Sequence, residues 1–269
     1  MINEHTPTVL TIAGFDPYGG AGIQADIKTI HALHGYAFSV TTALTAQNSQ
    51  GVSLVEAVDA STFQIQLETL LSDVQVDAVK IGMLANIEII AVIVEMIKKY
   101  KLKNIVLDTV LVSSSGKQLL ELDAIEAMVQ YLFPLCKIIT PNIPEMNSLL
   151  NTKFTSTKTE SSKIVNALFR LGVDTILLKG GHSIDTEATD CLVTSSGIDY
   201  FSSPRVETTH THGTGCILSS AIAIYLANKL PLNESVKRAK LFLYKKLLHA
   251  QQLKFRYKTI NQIKQESIF

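Results

Sequence analysis

At 269 residues the chain has the length of one large α/β domain, and residues 1–269 are expected to form a single one. Its 24 Lys plus Arg balance its 24 Asp plus Glu, so no net field draws it to nucleic acid or to an anionic membrane surface, and a small molecule is the expected partner. No apolar run reaches the roughly 18 residues of a membrane span; residues 1–8 lack a basic-then-apolar leader pattern, and the three cysteines (Cys136, Cys191, Cys216) contain no C-x-x-C pair, so a reducing, cytoplasmic setting is expected.

Residues 8–13 are a short apolar run ending at Gly14, the pattern of a buried strand. A loop, Phe15-Asp16-Pro17-Tyr18-Gly19-Gly20-Ala21-Gly22, leads to a helix over 23–34. Gly20-Ala21-Gly22-Ile23-Gln24-Ala25 fits G-x-G-x-x-A formally. The glycines do not follow the strand directly, however, and no acidic residue stands about 20 positions on, so the dinucleotide fingerprint fails. The P-loop pattern fails too, for want of a closing Gly-Lys-Ser/Thr. Two readings stay open, a glycine-rich crossing that lets backbone approach a ligand and a plain mobile turn.

Residues 36–46 and 51–58, rich in β-branched and small apolar side chains, predict two strands around Gln47-Asn48-Ser49-Gln50. A helix over 61–71 follows, with Ser61 as its expected cap. Next come a strand over 77–81 ending at Gly82-Met83 and an amphipathic helix over 87–98 whose basic end suits the helix dipole. A strand over 104–107 leaves Asp108 at its carboxyl edge. Then a helix over 124–132, a strand over 137–140 and Pro141-Asn142-Ile143-Pro144-Glu145 repeat the theme of polar residues where strands stop. Residues 151–159 read as a surface connection, 158–171 as a helix, and 175–178 as a strand ending at Lys179-Gly180-Gly181-His182. A hairpin over 190–201 precedes a helix running to about residue 228, and a basic helix over 234–253 closes the series.

Repeated strand–helix alternation predicts a mainly parallel sheet covered by helices on both faces, with its ligand beyond the carboxyl ends of the strands. That rule gathers Gly14, Gly82, Asp108, Asn142, Glu145 and Lys179 at one rim, beside His212-Gly213-Thr214-Gly215-Cys216. Because an apolar run follows this last stretch at helical spacing, its glycines fall on the first turn of a buried helix, where free N–H groups at the positive end of the dipole can close around phosphate. Cys216 feels the same field, which favours a thiolate able to accept a proton; the plainer reading is a tight turn with an inert cysteine. Lys179 can neutralise phosphate charge, and Asn142, Glu145 and Asp108 can hold magnesium directly or through its waters. Singly, these residues also read as a surface lysine, a helix-start glutamate and a backbone-capping aspartate. Their joint placement at strand ends favours nucleotide phosphate with a divalent cation, the parts of phosphoryl transfer.

Several segments together resemble one family. They are Val9-Leu10-Thr11-Ile12-Ala13-Gly14 with the glycine-rich loop and Gln24-Ala25-Asp26, Ala43-Leu44-Thr45-Ala46-Gln47-Asn48, Lys80-Ile81-Gly82-Met83-Leu84, Val106-Leu107-Asp108-Thr109-Val110, Ile139-Thr140-Pro141-Asn142-Ile143-Pro144-Glu145, Lys179-Gly180-Gly181-His182 and the His212–Cys216 turn. In this order, over residues 8–250, the chain is similar to hydroxymethylpyrimidine/phosphomethylpyrimidine kinases of the ribokinase-like superfamily. The resemblance implies a three-layer αβα sandwich with a mostly parallel central sheet. It also implies an ATP- and Mg2+-dependent enzyme of thiamine biosynthesis that phosphorylates 4-amino-5-hydroxymethyl-2-methylpyrimidine and then its monophosphate, and that pairs as a homodimer.

By the same resemblance Gly213, Gly215 and Cys216 form an anion hole with Lys179, and Cys216 stands where sugar kinases of the superfamily place an aspartate base. Gln47 is expected to read the pyrimidine, its amide matching a ring nitrogen beside an exocyclic amine. Gly14, Ala21, Asp26, Thr45, Met83 and Val110 are expected to wall that pocket, and Asn142, Thr214 and His212, with Lys179, to face the nucleotide. The chain departs from the family's pattern at Phe15 and Tyr18, which are bulkier than usual. Ser113-Ser114-Ser115-Gly116 lacks a lysine that many relatives carry, and residues 254–269 lack the common Gly-His-rich ending. The rival readings are a pyridoxal or pyridoxine kinase on the same scaffold, and a ligand-binding regulator that has lost catalysis.

Overall fold

A computed structural model describes residues 5–48, 51–112, 119–158, 160, 163–165 and 171–252. In chain order its elements are β1 (Thr8–Phe15), α1 (Gly22–Ala32), β2 (Tyr36–Asn48), β3 (Gly51–Ala57), α2 (Ala60–Asp73), β4 (Ala78–Ile81), α3 (Ile87–Tyr100), β5 (Ile105–Leu107), α4 (Leu122–Ala127), β6 (Ile138–Ile139), α5 (Ile143–Leu150), β7 (Ile176–Leu178), β8 (Glu187–Thr194), β9 (Gly197–Pro204), α6 (Thr214–Ala227) and α7 (Leu232–Gln252). Among the described residues the strands form one sheet in the order β3-β2-β1-β4-β5-β6-β7-β8-β9. The run from β2 to β7 is parallel, while β3 and β8 lie antiparallel to their neighbours.

Successive side chains of the central strands go to opposite faces, so each strand feeds two cores. Leu10, Ile12, Val79, Ile81, Ile105 and Leu107 pack with Phe63, Leu67, Ile89 and Ile93 from α2 and α3. The alternate positions Val9, Ala78, Val106, Ile138 and Leu177 pack with Ile30 of α1 and with Leu218, Ala221 and Ile222 of α6. Strands covered on both faces have no polar side to show, which is why they read as unbroken apolar runs. The helix α6 is apolar all round for the same reason, since α7 covers the side that the sheet leaves open. The result is a helix–sheet–helix sandwich whose middle layer is mostly parallel.

Local chemistry moves some boundaries. The cap of α2 is Asp59, whose carboxylate accepts from Thr62 N at 3.0 Å, and not Ser61, which donates to Asp59 instead. The expected helix over 124–132 is α-helical only to Ala127, widens into a π-helical turn over Met128–Leu132 and tightens through Phe133–Leu135, where Pro134 has no N–H to continue it. The helix-start alternative for Glu145 is realised in α5, which starts in a reciprocal cap: Glu145 N donates to Asn142 Oδ1 and Asn142 N to Glu145 Oε2, both at 2.8 Å. The expected surface connection is only partly one. Phe154, Ser156 and Thr157 are buried, with Thr157 Oγ1 donating to Thr189 O at 2.7 Å, so this stretch packs under the β7–β8 connection. Most of the helix expected over 158–171, the Ser113–Ser114–Ser115–Gly116 segment and residues 254–269 lie outside the described residues. No helix among the described residues is long and apolar enough to cross a membrane.

Candidate active site

Backbone bonds between neighbouring strand ends align the rim: Gly82 N donates to Ile12 O, Asp108 N to Ile81 O, Thr140 N to Leu107 O and Lys179 N to Pro141 O. Above these ends lies a cavity of about 590 Å³, within the usual size for a small-molecule site. Two glycines let the chain cross itself here. A Cβ on Gly14 would stand 2.5 Å from Met83 Cε, and one on Gly22, whose φ is +58°, would stand 2.2 Å from Gly14 O. The loop between them is gathered by Asp16, whose Oδ1 accepts from Tyr18 N and whose Oδ2 accepts from Gly20 N and Ala21 N at 2.8–3.0 Å.

Next to this loop, on the same cavity, α6 begins after Gly213, which lies in the left-handed region and supplies no side-chain cap. Thr214 N donates to Thr211 O at 3.3 Å, which leaves the N–H groups of Gly215 and Cys216 to face a ligand, and bare Gly215 lets acidic and basic groups come close. A Cβ there would lie 3.1 Å from Asp108 Oδ2 and 3.4 Å from Lys179 Nζ. Lys179 Nζ sits 2.6 Å from Asp108 Oδ1 and 3.8 Å from Glu145 Oε2. Burial pushes Asp108 up, but Lys179 and Lys80 outweigh it and hold the carboxyl below its ordinary value. Glu145 goes the other way: burial and the Asp108 charge raise it beyond what Lys179 offsets, so the two acids share one ammonium and the farther one keeps its proton longer.

The half-buried Cys216 corrects one expectation. The helix end and Lys80 both favour a thiolate, yet burial dominates and pushes the thiol up to about 11, so the resting group is a thiol. Beneath it lies a buried pair, Lys80 Nζ to Asp26 Oδ2 at 2.9 Å, with both side chains fully shielded from solvent. Thr11 Oγ1 and Ser220 Oγ also donate to the Asp26 carboxylate.

The structure brings Gly14, Ala21, Thr45, Gln47, Met83, Val110, Asp108, Asn142, Glu145, Lys179, Thr214, Gly213, Gly215 and Cys216 together in the lining of this one cavity. Asp26, expected to wall the pocket, lies below it, because its charge is spent on Lys80. His212, expected on the nucleotide, contacts Asp16 at 3.0 Å and Gln47 at 3.1 Å. The sequence reading missed Asp16 and Lys80. Both left a signal: an aspartate before Pro and two glycines favours a side chain folded onto loop N–H groups, and a lysine inside an apolar strand demands a buried partner.

The chain is similar over most of its length to known proteins. Residues 16–261 match the phosphomethylpyrimidine kinase family. The hydroxymethylpyrimidine/phosphomethylpyrimidine kinase of Salmonella typhimurium is 44% identical over 244 residues, covering 91% of this chain and 92% of its own. The crystal structure of phosphomethylpyrimidine kinase from Clostridium difficile superposes with a TM-score of 0.78 at 40% identity, covering 89% of this chain and 99% of its own. A pyridoxal kinase from Staphylococcus aureus, in complex with AMP-PCP and pyridoxal, superposes with a TM-score of 0.82 at 30% identity, covering 91% of this chain and 89% of its own.

Proposed function

Because the chain belongs to the phosphomethylpyrimidine kinase family, we propose that it uses ATP to phosphorylate 4-amino-5-hydroxymethyl-2-methylpyrimidine and then the monophosphate to the diphosphate, in thiamine biosynthesis. The observation that carries this reading is one cavity lined both by an amide, Gln47, and by an uncapped helix start with a lysine, Gly213–Cys216 and Lys179.

In this mechanism the pyrimidine lies under the Asp16-centred loop against Met83 and Val110, with its hydroxymethyl group toward Cys216. The first N–H groups of α6 and the Lys179 ammonium hold the transferring phosphoryl group, and Asn142 and Thr214 face the nucleotide. Once the Cys216 thiol has given its own proton to water, the alcohol oxygen forms the new O–P bond, the bond from phosphorus to the ADP oxygen breaks, and the alcohol proton passes to the Cys216 thiolate. A loose transition state asks for this transfer late, so positioning and charge stabilisation supply most of the rate. The second phosphorylation differs: its nucleophile is a phosphate oxygen already ionised near neutral pH, with no alcohol proton to remove.

Asp108, Glu145 and Asn142 offer hard oxygen donors next to the phosphate site, and no group of three His, Cys, Asp or Glu that could hold a metal occurs among the described residues. That donor set suits Mg2+, which keeps several waters and takes its remaining ligands from carboxylates and substrate phosphates. Bound there, the ion neutralises charge on the phosphates. A homodimer through the β2–β3 hairpin, where Leu44 and Leu54 are exposed, belongs to the same reading and requires a solution mass twice the 29.4 kDa of the chain.

Incubation with ATP, Mg2+ and the pyrimidine alcohol, with mono- and diphosphate resolved by chromatography, tests the proposal. The likeness to the S. aureus pyridoxal kinase makes pyridoxal the control. Pyridoxal turnover without pyrimidine turnover would replace the assignment, and binding of both substrates without ADP release would leave a regulator.

A further inference from the structure

Three polar side chains from distant parts of the chain meet at the substrate end of the cavity, and their hydrogen atoms cannot all be placed as the heavy atoms first suggest. Asp16 is 3% exposed. Burial alone would raise its carboxyl, but His212 and the N–H groups of Ala21 and Tyr18 outweigh that and hold it below its ordinary value, so it is an acceptor only. His212 Nε2, 3.0 Å from Asp16 Oδ2, must then carry the proton of that bond. The same nitrogen lies 3.1 Å from Gln47 Nε2. Two N–H donors cannot bond to each other, so this contact fails with the amide in that orientation.

A second conflict sits at the other end of the same amide. Thr45 Oγ1 is 2.9 Å from Phe15 O and 3.4 Å from Gln47 Oε1, and its single hydrogen cannot serve both carbonyl oxygens well. Exchanging the two ends of the Gln47 amide resolves both conflicts at once. Oε1 then shares the His212 Nε2–H with Asp16 Oδ2 in a three-centre bond, and the NH2 group donates to Thr45 Oγ1, whose own hydrogen stays on Phe15 O. Oxygen and nitrogen of such amides are assigned from their partners, and here both partners agree.

We propose that Asp16 and His212 are positioning residues that lock the Gln47 amide with its oxygen on the Gly213 side and its NH2 on the Thr45 side, so that it selects substrates bearing an amine next to the reacting hydroxymethyl group. This rests on the functional reading above. In the pyrimidine the 4-amino group is the immediate neighbour of the 5-hydroxymethyl arm, and the acceptor ring nitrogen is one atom further. With the arm toward Cys216, the amine faces the free lone pair of Gln47 Oε1 and the ring nitrogen faces the free N–H. A ring presenting a carbonyl oxygen beside its hydroxymethyl group, as pyridoxal does, meets oxygen with oxygen in that pose.

The test compares the pyrimidine alcohol with its analogue lacking the 4-amino group, on wild type, His212→Phe and His212→Gln. His212→Phe should lower kcat/KM for the amino substrate about 10- to 100-fold, mainly through KM, and change the analogue by no more than about 3-fold. His212→Gln, whose amide N–H can reach the same oxygen, should recover most of the loss. Equal losses on both substrates, a loss confined to kcat, or no recovery in His212→Gln would overturn the proposal. Long-range 15N–1H spectra of the unmodified enzyme give a reading independent of any variant's folding: Nε2 of His212 must be protonated, and a bare Nε2 would also refute it. Wild-type enzyme that turns over neither pyrimidine would remove the functional reading and this inference together, whereas normal turnover with equal losses removes the inference alone.

Discussion

Cys216→Ala separates the thiol's part in catalysis from that of the helix it sits on. The substitution removes Sγ and leaves the first N–H groups of α6, Lys179 and the pyrimidine pocket in place. A general base contributes about 10²-fold or more, so phosphorylation of the alcohol should fall by that factor with substrate binding near normal. The second phosphorylation, whose nucleophile has no proton to lose, should fall far less. A thiol pushed up to about 11 also sets a pH signature. Only about one molecule in 10³ carries thiolate at pH 8, and that fraction rises tenfold per pH unit. Log kcat/KM for the alcohol should therefore climb with a slope near one between pH 7 and 9 in the wild type and flatten in Cys216→Ala. Steady-state rates on alcohol and monophosphate across that range measure both effects. An unaffected alcohol rate, or equal losses on the two substrates, would refute the thiol as proton acceptor and leave its backbone as the only contribution.

Lys179→Met should cost about 10²-fold or more in kcat/KM for both phosphorylations, because it removes the cation beside Gly215 from either transferring phosphoryl group; a loss on one substrate only would contradict that placement. Lys80→Met leaves the fully shielded Asp26 unpaired and should destabilise the fold by about 3–5 kcal/mol, while Lys80→Met with Asp26→Asn should recover most of the melting temperature, as differential scanning calorimetry would show. Alkaline pH should destabilise the protein. Burial raises Cys191 to about 12 from 9.0, so above pH 9 the unfolded chain sheds a proton that the folded chain keeps. That contribution is intact below pH 9 and falls by about 1.4 kcal/mol per pH unit above it. Cys216, also raised, adds the same sign, and denaturant midpoints that stay level from pH 9 to 11 would contradict both.

The parallel sheet was legible because its strands are buried on two faces, and a continuous apolar run punctuated by glycine or a polar residue has few other readings. The start of α6 was legible for a related reason: Gly213 and Gly215 precede an apolar stretch that no amphipathic surface helix would carry. What escaped was local competition for backbone groups. Ser61 and Asp59 are both good caps, and only the geometry shows that the aspartate takes Thr62 N while the serine bonds to the aspartate. The Asn142–Glu145 pair shows one motif serving two ends. It closes the first turn of α5 and leaves the glutamate 3.8 Å from Lys179, so the helix-start reading of Glu145 holds and its carboxylate still lies at the rim of the cavity.

Charge was harder to place than hydrophobicity, because a charged residue's role depends on a partner that sequence distance hides. Lys80 and Asp26 are 54 residues apart, and Asp26 alone reads as a residue available to a ligand. Together they cancel beneath Cys216, which explains why the helix field fails to yield a resting thiolate: Lys80 favours ionisation, while Asp26, Asp108 and burial oppose it. His212 illustrates the same limit across 196 residues, since adjacency to the glycine turn before α6 pointed to the nucleotide and Asp16 draws its ring toward Gln47. In both cases a carboxylate with no other way to be satisfied in a buried site fixes the cation or donor next to it, and that donor then decides what remains free for a ligand. A reading of such sites from sequence improves when every acid in a glycine-rich loop or an apolar segment is first assigned a partner, and only the unassigned groups are offered to substrate.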